Sequence, residues 1–164
     1  MLDITRVLKQ KNAMKMKPQI VVTTALFFTM MLNGSVMARQ LDQYEQQVEK
    51  QLEGAIKAAK GDGYQLLFPR NVGKLKQRSE TFRTVLLDPK REYIFIAVCD
   101  KNCNELNFIV RDTEGNKVIS DATDTPISVI KFKPPKEDRY QLTVRMEKCS
   151  AASCNYGMGV FSKR

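Results

Sequence analysis

Four cysteines are the residues of this 164-residue chain best placed for chemistry: Cys99, Cys103, Cys149 and Cys154, spaced CxxxC and CxxxxC. A cysteine can act as a nucleophile, bind a metal, or form half of a disulfide. Nucleophilic catalysis near neutral pH needs an imidazole to take the proton, and the chain contains no histidine, which also removes Ser/His/Asp machinery. The spacing has the wrong rhythm for a zinc ribbon, and no histidine could complete a site. An even count of cysteines in an exported chain reads as two disulfides. Local pairing, Cys99–Cys103 and Cys149–Cys154, is preferred and would pin two short loops.

Carboxylates are the remaining reactive groups. Asp100, Asp112, Glu114, Asp121 and Asp124 fall at turns, where such residues commonly accept hydrogen bonds from turn amides. Calcium needs six to eight oxygen ligands. These acids are spread over three turns with no dense D-x-D-x-D run, so solvated turns are expected instead. A glycosidase-type carboxylate pair meets the same objection. No Gly-rich phosphate loop or nucleotide fingerprint is present. The expectation is therefore a protein with no catalytic residues, metal or cofactor.

The compartment is written at the N-terminus. Arg6, Lys9, Lys11, Lys15 and Lys17 precede an uncharged apolar run, Ile20 to Leu32, then Asn33, Gly34 and Ser35. Val36 and Ala38 occupy the −3 and −1 positions of a signal-peptidase site, which places the cut between Ala38 and Arg39. The run is shorter than the ~20 residues of a membrane span, so no stable membrane insertion is expected after cleavage. Met14 or Met16 would make a tidier start than Met1. The leader holds five of the 27 basic residues and one of the 18 acidic ones, which leaves 22 against 17 and a net charge of +5. That charge is spread along the chain, with no basic stripe interleaved with aromatics, so no nucleic-acid partner is expected.

These groups must be positioned by a single domain of 126 residues. Leu41, Tyr44, Val48, Leu52, Ile56 and Ala59 recur at spacings of three and four, which predicts an amphipathic helix over 40–60, stopped by Gly61 and Gly63. The stripe is read as packing on the domain rather than as a dimerisation face. The period then changes to two. Phe82, Thr84 and Leu86 alternate with Arg83 and Val85, and Leu106, Phe108 and Val110 alternate with Asn107, Ile109 and Arg111. Tyr140, Leu142, Val144 and Met146 form a third alternating set, and 93–98 (YIFIAV) is apolar on both faces, as in a central strand. Shorter candidates are 72–77, 117–121, 127–132 and 156–161. About eight short strands with no helix between them predict a mainly β fold, an antiparallel β-sandwich with one N-terminal helix. The expected organisation is signal peptide 1–38, helix 39–63 and sandwich 64–164.

If the strands alternate in direction, the strands ending at Cys99 and Cys149 leave both cysteine loops at one end of the sandwich. Asp100, Lys101, Asn102, Asn104, Ser153 and Asn155 then form a candidate binding rim, stiffened by the disulfides. The same geometry keeps the crossed pairing, Cys99–Cys154 with Cys103–Cys149, open.

From Tyr93 to Phe161 the chain resembles the bacterial pre-peptidase C-terminal domain and its small exported relatives. The resemblance is carried by YIFIAVCDKNC at 93–103, ELNFIVRDTEGNKVISD at 105–121, ISVIKFKPP at 127–135, DRYQLTVRM at 138–146 and CSAASCNYGMGVF at 149–161. It implies a jelly-roll-like sandwich that works as an accessory module on secreted proteases or as a free-standing exported protein. Where relatives often carry D-L-D-L, this chain has Glu105-Leu106-Asn107-Phe108. The function expected from residues and resemblance together is an exported, non-enzymatic binding or accessory module. Its partner would be an envelope protein, a peptide or an anionic polysaccharide. The alternative is a structural envelope protein that self-associates through its helix.

Overall fold

The computed structural model describes residues 42–164. The leader, the Ala38–Arg39 cut, the alternative starts and Leu41 lie outside the described residues. Helix α1 spans Gln43–Gly61 and starts where Asp42 caps it, its Oδ1 accepting the Tyr44 and Glu45 amides at 2.9 and 2.8 Å. The helix stops at Asp62 and Gly63, and Gly63 takes the left-handed φ of 82° that lets the chain turn back.

Nine strands follow: β1 (Gln65–Leu66), β2 (Asn71–Leu75), β3 (Ser79–Leu87), β4 (Glu92–Cys99), β5 (Cys103–Arg111), β6 (Lys117–Asp121), β7 (Ile127–Phe132), β8 (Asp138–Cys149) and β9 (Cys154–Lys163). Each strand expected from alternation is present, and the addition is the two-residue β1. One sheet runs β1-β9-β4-β7, with β2 also on the β9 edge, and the other runs β3-β8-β5-β6. All pairings are antiparallel. Orders 2-9-4-7 and 3-8-5-6 are those of a jelly roll, in which the chain passes from sheet to sheet at each step from β2 to β9 except the β5–β6 hairpin.

The alternation explains the layers. Phe95, Ala97 and Cys99 of β4 point into the sandwich with Phe108, Val110, Leu142 and Val144. There Phe95 stacks on Phe108, ring centroids 5.6 Å apart. Ile94, Ile96 and Val98 face the other way and form a second core with Val48, Leu52 and Phe161 under α1. This is why YIFIAV is apolar throughout: a third layer, the helix, covers its outer side. The helix lies so close to β9 that a Cβ on Gly157 would come within 2.6 Å of Leu52 Cδ1 and 2.7 Å of Val48 Cγ1. The apolar stripe of α1 is thus consumed within the chain.

In β3 the alternation runs opposite to its apparent polarity. Val85 and Leu87 enter the core, whereas Phe82 and Leu86 face solvent at 60% and 61% exposure. At the opposite edge, β7 exposes Ile127 and Val129. The Asp121 carboxylate reaches across from β6 and accepts the Val129 amide and the Ser128 hydroxyl, both at 3.0 Å.

Candidate functional site: the disulfide-closed end

The two connections that carry the chain between sheets, β4 to β5 and β8 to β9, lie side by side because β5 pairs with β8 and β4 with β9. Each corner is closed by its own disulfide, Cys99–Cys103 and Cys149–Cys154, with Cα separations of 5.9 and 6.0 Å. Cys103 and Cys149 are direct partners in the β5–β8 register. The neighbourhood needed for crossed pairing therefore exists, yet the sulfurs join locally.

Polar ties bind the two corners together. Asp100 Oδ2 accepts the Asn155 backbone amide at 2.6 Å and its Nδ2 at 2.9 Å, and the Asp100 amide donates back to the Asn155 carbonyl at 3.0 Å. Asp100 Oδ1 accepts the Asn102 amide at 2.9 Å. The Asn102 carbonyl then accepts both the amide and the hydroxyl of Ser150, each at 2.8 Å. A buried carboxylate is costly unless its lone pairs are filled, and here three N–H groups fill them.

This changes the roles of the expected rim residues. Asp100 and Asn155 are 1% and 4% exposed, so they are the internal tie and not part of a contact surface. Lys101 and Asn104 are exposed, and Asn102 and Ser153 are half-buried. Between the corners the surface is made by exposed Ser150, Ala151 and Ala152.

Other elements complete this end. The Lys101 amide donates to Gln47 Oε1 on α1 at 3.2 Å, and its ammonium sits 5.4 Å from the Tyr44 ring centroid. The segment between β6 and β7 is bound through Cys99 N–H to the Pro126 carbonyl and Leu106 N–H to the Thr125 carbonyl. Sequence reading missed the β2–β3 connection, where Lys76 and Arg78 are exposed. Arg78 adopts a φ of 60°, its amide donating to the Met146 carbonyl at 2.6 Å. A left-handed arginine leaves no mark in the sequence, because glycine or asparagine is the usual signal for that conformation.

Electrostatics at this end are locally balanced. Lys148 meets Glu105 and Asp124 at 2.6 and 2.8 Å. Hydrogen bonds to Asp124 and then Glu105 hold its ammonium above the usual lysine range. The Lys148 bond in turn holds Asp124 below the ordinary carboxylate range. Lys74 does the same to Asp42 at 2.8 Å.

The other loop acids are engaged with protein groups. Asp112 accepts the Glu114 and Asn116 amides, Glu114 accepts Asn116 Nδ2, and Asp121 holds β7. Among the described residues no three metal-ligating side chains gather, and all four cysteines are oxidised. Neither a thiolate nor an imidazole is available here. What the arrangement supplies is a surface held by two disulfides and the hydrogen bonds between the corners.

No family model matches the chain, and no curated relative matches it. Eleven chains of solved structures are similar to parts of it, among them two from distinct proteins. One is Aeromonas hydrophila PliG, a periplasmic lysozyme inhibitor of g-type lysozyme, at 12% identity over 57% of this chain and 84% of that one, TM-score 0.42. The other is an arabinose-bound α-L-arabinofuranosidase, at 9% identity over 64% of this chain and 24% of that one, TM-score 0.30. The chain spans about a quarter of that second structure. The two disulfides fit an oxidising compartment. Among the described residues no helix is long and apolar enough to cross a membrane.

Proposed function

We propose that the chain is an exported, non-enzymatic binding module that grips a protein of the cell envelope with its disulfide-closed end, after cleavage between Ala38 and Arg39. The observation that carries this is the Asp100–Asn155 tie joining the two disulfide loops. Two loops fixed to one another in the free protein lose little conformational freedom on binding, so more of the contact energy appears as affinity. A protein partner suits the surface because it presents small neutral side chains, Ser150, Ala151 and Ala152, with Lys101 beside them. The likeness to exported pre-peptidase C-terminal domains belongs to the same reading and favours an accessory role. Self-association through α1 is disfavoured, since Val48 and Leu52 of its apolar stripe are fully buried against the sheet.

The test is photo-crosslinking from Asn104 and Ala151 in intact cells, with mass spectrometry of the product. One discrete partner is expected from both positions, and the crosslink from Asn104 should be lost on Ala151→Arg and retained on Lys131→Glu. Crosslinks that are equally abundant from both variants would sink the assignment of the rim. N-terminal sequencing of the exported protein checks the cut, and a start other than Arg39 would overturn it.

A further inference from the structure

The opposite end of the sandwich, where α1 stops and β4 begins, carries an independent feature. Three adjoining clefts of roughly 410, 250 and 530 Å³ meet around Tyr64. Their lining includes six basic side chains, Lys60, Arg91, Lys131, Lys133, Lys163 and Arg164, against one carboxylate, Glu92.

The strand register explains the gathering. Glu92 of β4 lies opposite Lys163 of β9, and Ile94 lies opposite Lys131 of β7. Because side chains two apart share a face, Lys131 and Lys133 flank Glu92 on one side and Lys163 on the other. The single acid is already satisfied. Lys163 stands 3.4 Å from Glu92 Oε2, the Tyr64 hydroxyl donates to the same oxygen at 3.2 Å, and the Lys163 ammonium lies 4.5 Å from the Tyr64 ring centroid. Arg91 reaches Asp88 only at 4.0 Å. Among the described residues, Lys60, Lys131, Lys133 and Arg164 contact no carboxylate. Four exposed cations with no carboxylate contact are therefore gathered around a single satisfied acid, which makes this end locally positive.

We propose that this end is a binding site for an anionic polysaccharide, with separated cations reading successive acidic sugars and exposed Gln65 available to sugar hydroxyls. Cations divided among three clefts suit a ligand carrying several negative charges better than one small anion. Lys60, Lys131, Lys133 and Arg164 are exposed on the cleft margins, where a chain laid across them meets one cation after another. The proposal stands apart from the protein-binding rim, and its test uses different residues.

The measurement is retention of the purified protein on immobilised polygalacturonate and on dextran sulfate, with neutral dextran as the blank. Vesicles of phosphatidylglycerol in phosphatidylcholine form a parallel arm. Binding to both acidic polymers should weaken by about 10-fold or more as salt rises from ~0.05 M to ~0.3 M. The exposed pair K131E/K133E should lose at least about 10-fold at low salt, whereas K50E/K117E, with the same change in net charge elsewhere, should stay within about 2-fold. Equal losses in the two double variants, or no retention on either polymer, would overturn the site. Tighter binding to the anionic vesicles than to polygalacturonate would overturn the polysaccharide and assign lipid headgroups instead. Near-ultraviolet circular dichroism confirms that both variants are folded.

Discussion

The two ends of this sandwich are prepared in opposite ways. At the cysteine end, shape is set in advance: two disulfides, a buried carboxylate with three N–H donors, and a carbonyl taking two donors from Ser150 fix loops whose outer surface is small and nearly neutral. At the Tyr64 end no covalent tie exists among the described residues, and what is concentrated is charge. The first arrangement favours one complementary shape; the second favours any chain of suitable charge and spacing. Helix α1 runs from one to the other, touching Lys101 through Gln47 and ending at Lys60 beside the clefts.

The largest expected separation between the ends comes from Asp100→Ala. It leaves the Asn155 amide buried without an acceptor, which costs about 3 kcal/mol, measurable by urea unfolding. Amide exchange should accelerate in 99–103 and 149–155 but not in 131–133. Acceleration at both ends would show that the ends are not mechanically separate.

Removing one disulfide with Cys149→Ala/Cys154→Ala should cost about 2 kcal/mol, as expected for so short a loop. Polyanion retention should be unchanged by it. A comparable effect, about 2 kcal/mol, is expected from Gly157→Ala, since the new methyl group meets Leu52 and the stiff, β-branched Val48, both fully buried. That variant is the useful exception, because a shifted α1 should disturb both ends at once.

The smallest effect is that of pH. Asp42 and Asp124 near the cysteines, and Glu92 and Asp138 at the other end, are all held below the ordinary range, with bonds from Lys74, Lys148, Lys163 and Lys136 respectively as the largest cause. A carboxyl group whose folded pKa is lowered stabilises the fold above its unfolded pKa, and that contribution fades as pH falls through the folded value. Thermal melts should therefore be flat from about pH 5 to 8 and decline below about pH 4. A fall in melting temperature already at pH 6 would contradict these pairings.

Much of this architecture is legible in the chain because a strand's period of two survives in the sequence whenever one face is buried. β8 reads cleanly for that reason. YIFIAV announces a central strand, although only the structure shows that a helix supplies its second cover. β3 misleads, since an edge strand can carry Phe82 and Leu86 on its solvent side while shorter Val85 and Leu87 fill the core. The rim was legible in its place but not in its roles. Asp100 and Asn155 look like surface loop residues until the two corners are brought together, because their pairing spans 55 positions. The cation-rich clefts were invisible for the same reason: Lys131 and Lys163 are far apart in sequence and are brought to either side of β4 only by register.

The Asp121 contact with β7 has a bearing on how the protein behaves in a crowd. Segment 127–132 is an apolar edge strand with Ile127 and Val129 exposed, the kind of edge on which a second molecule could add a strand and begin a polymer. The carboxylate from β6 occupies an outward amide of that edge and places a negative charge where an incoming strand would lie. One aspartate thus covers part of a sheet margin that is otherwise open to strand addition.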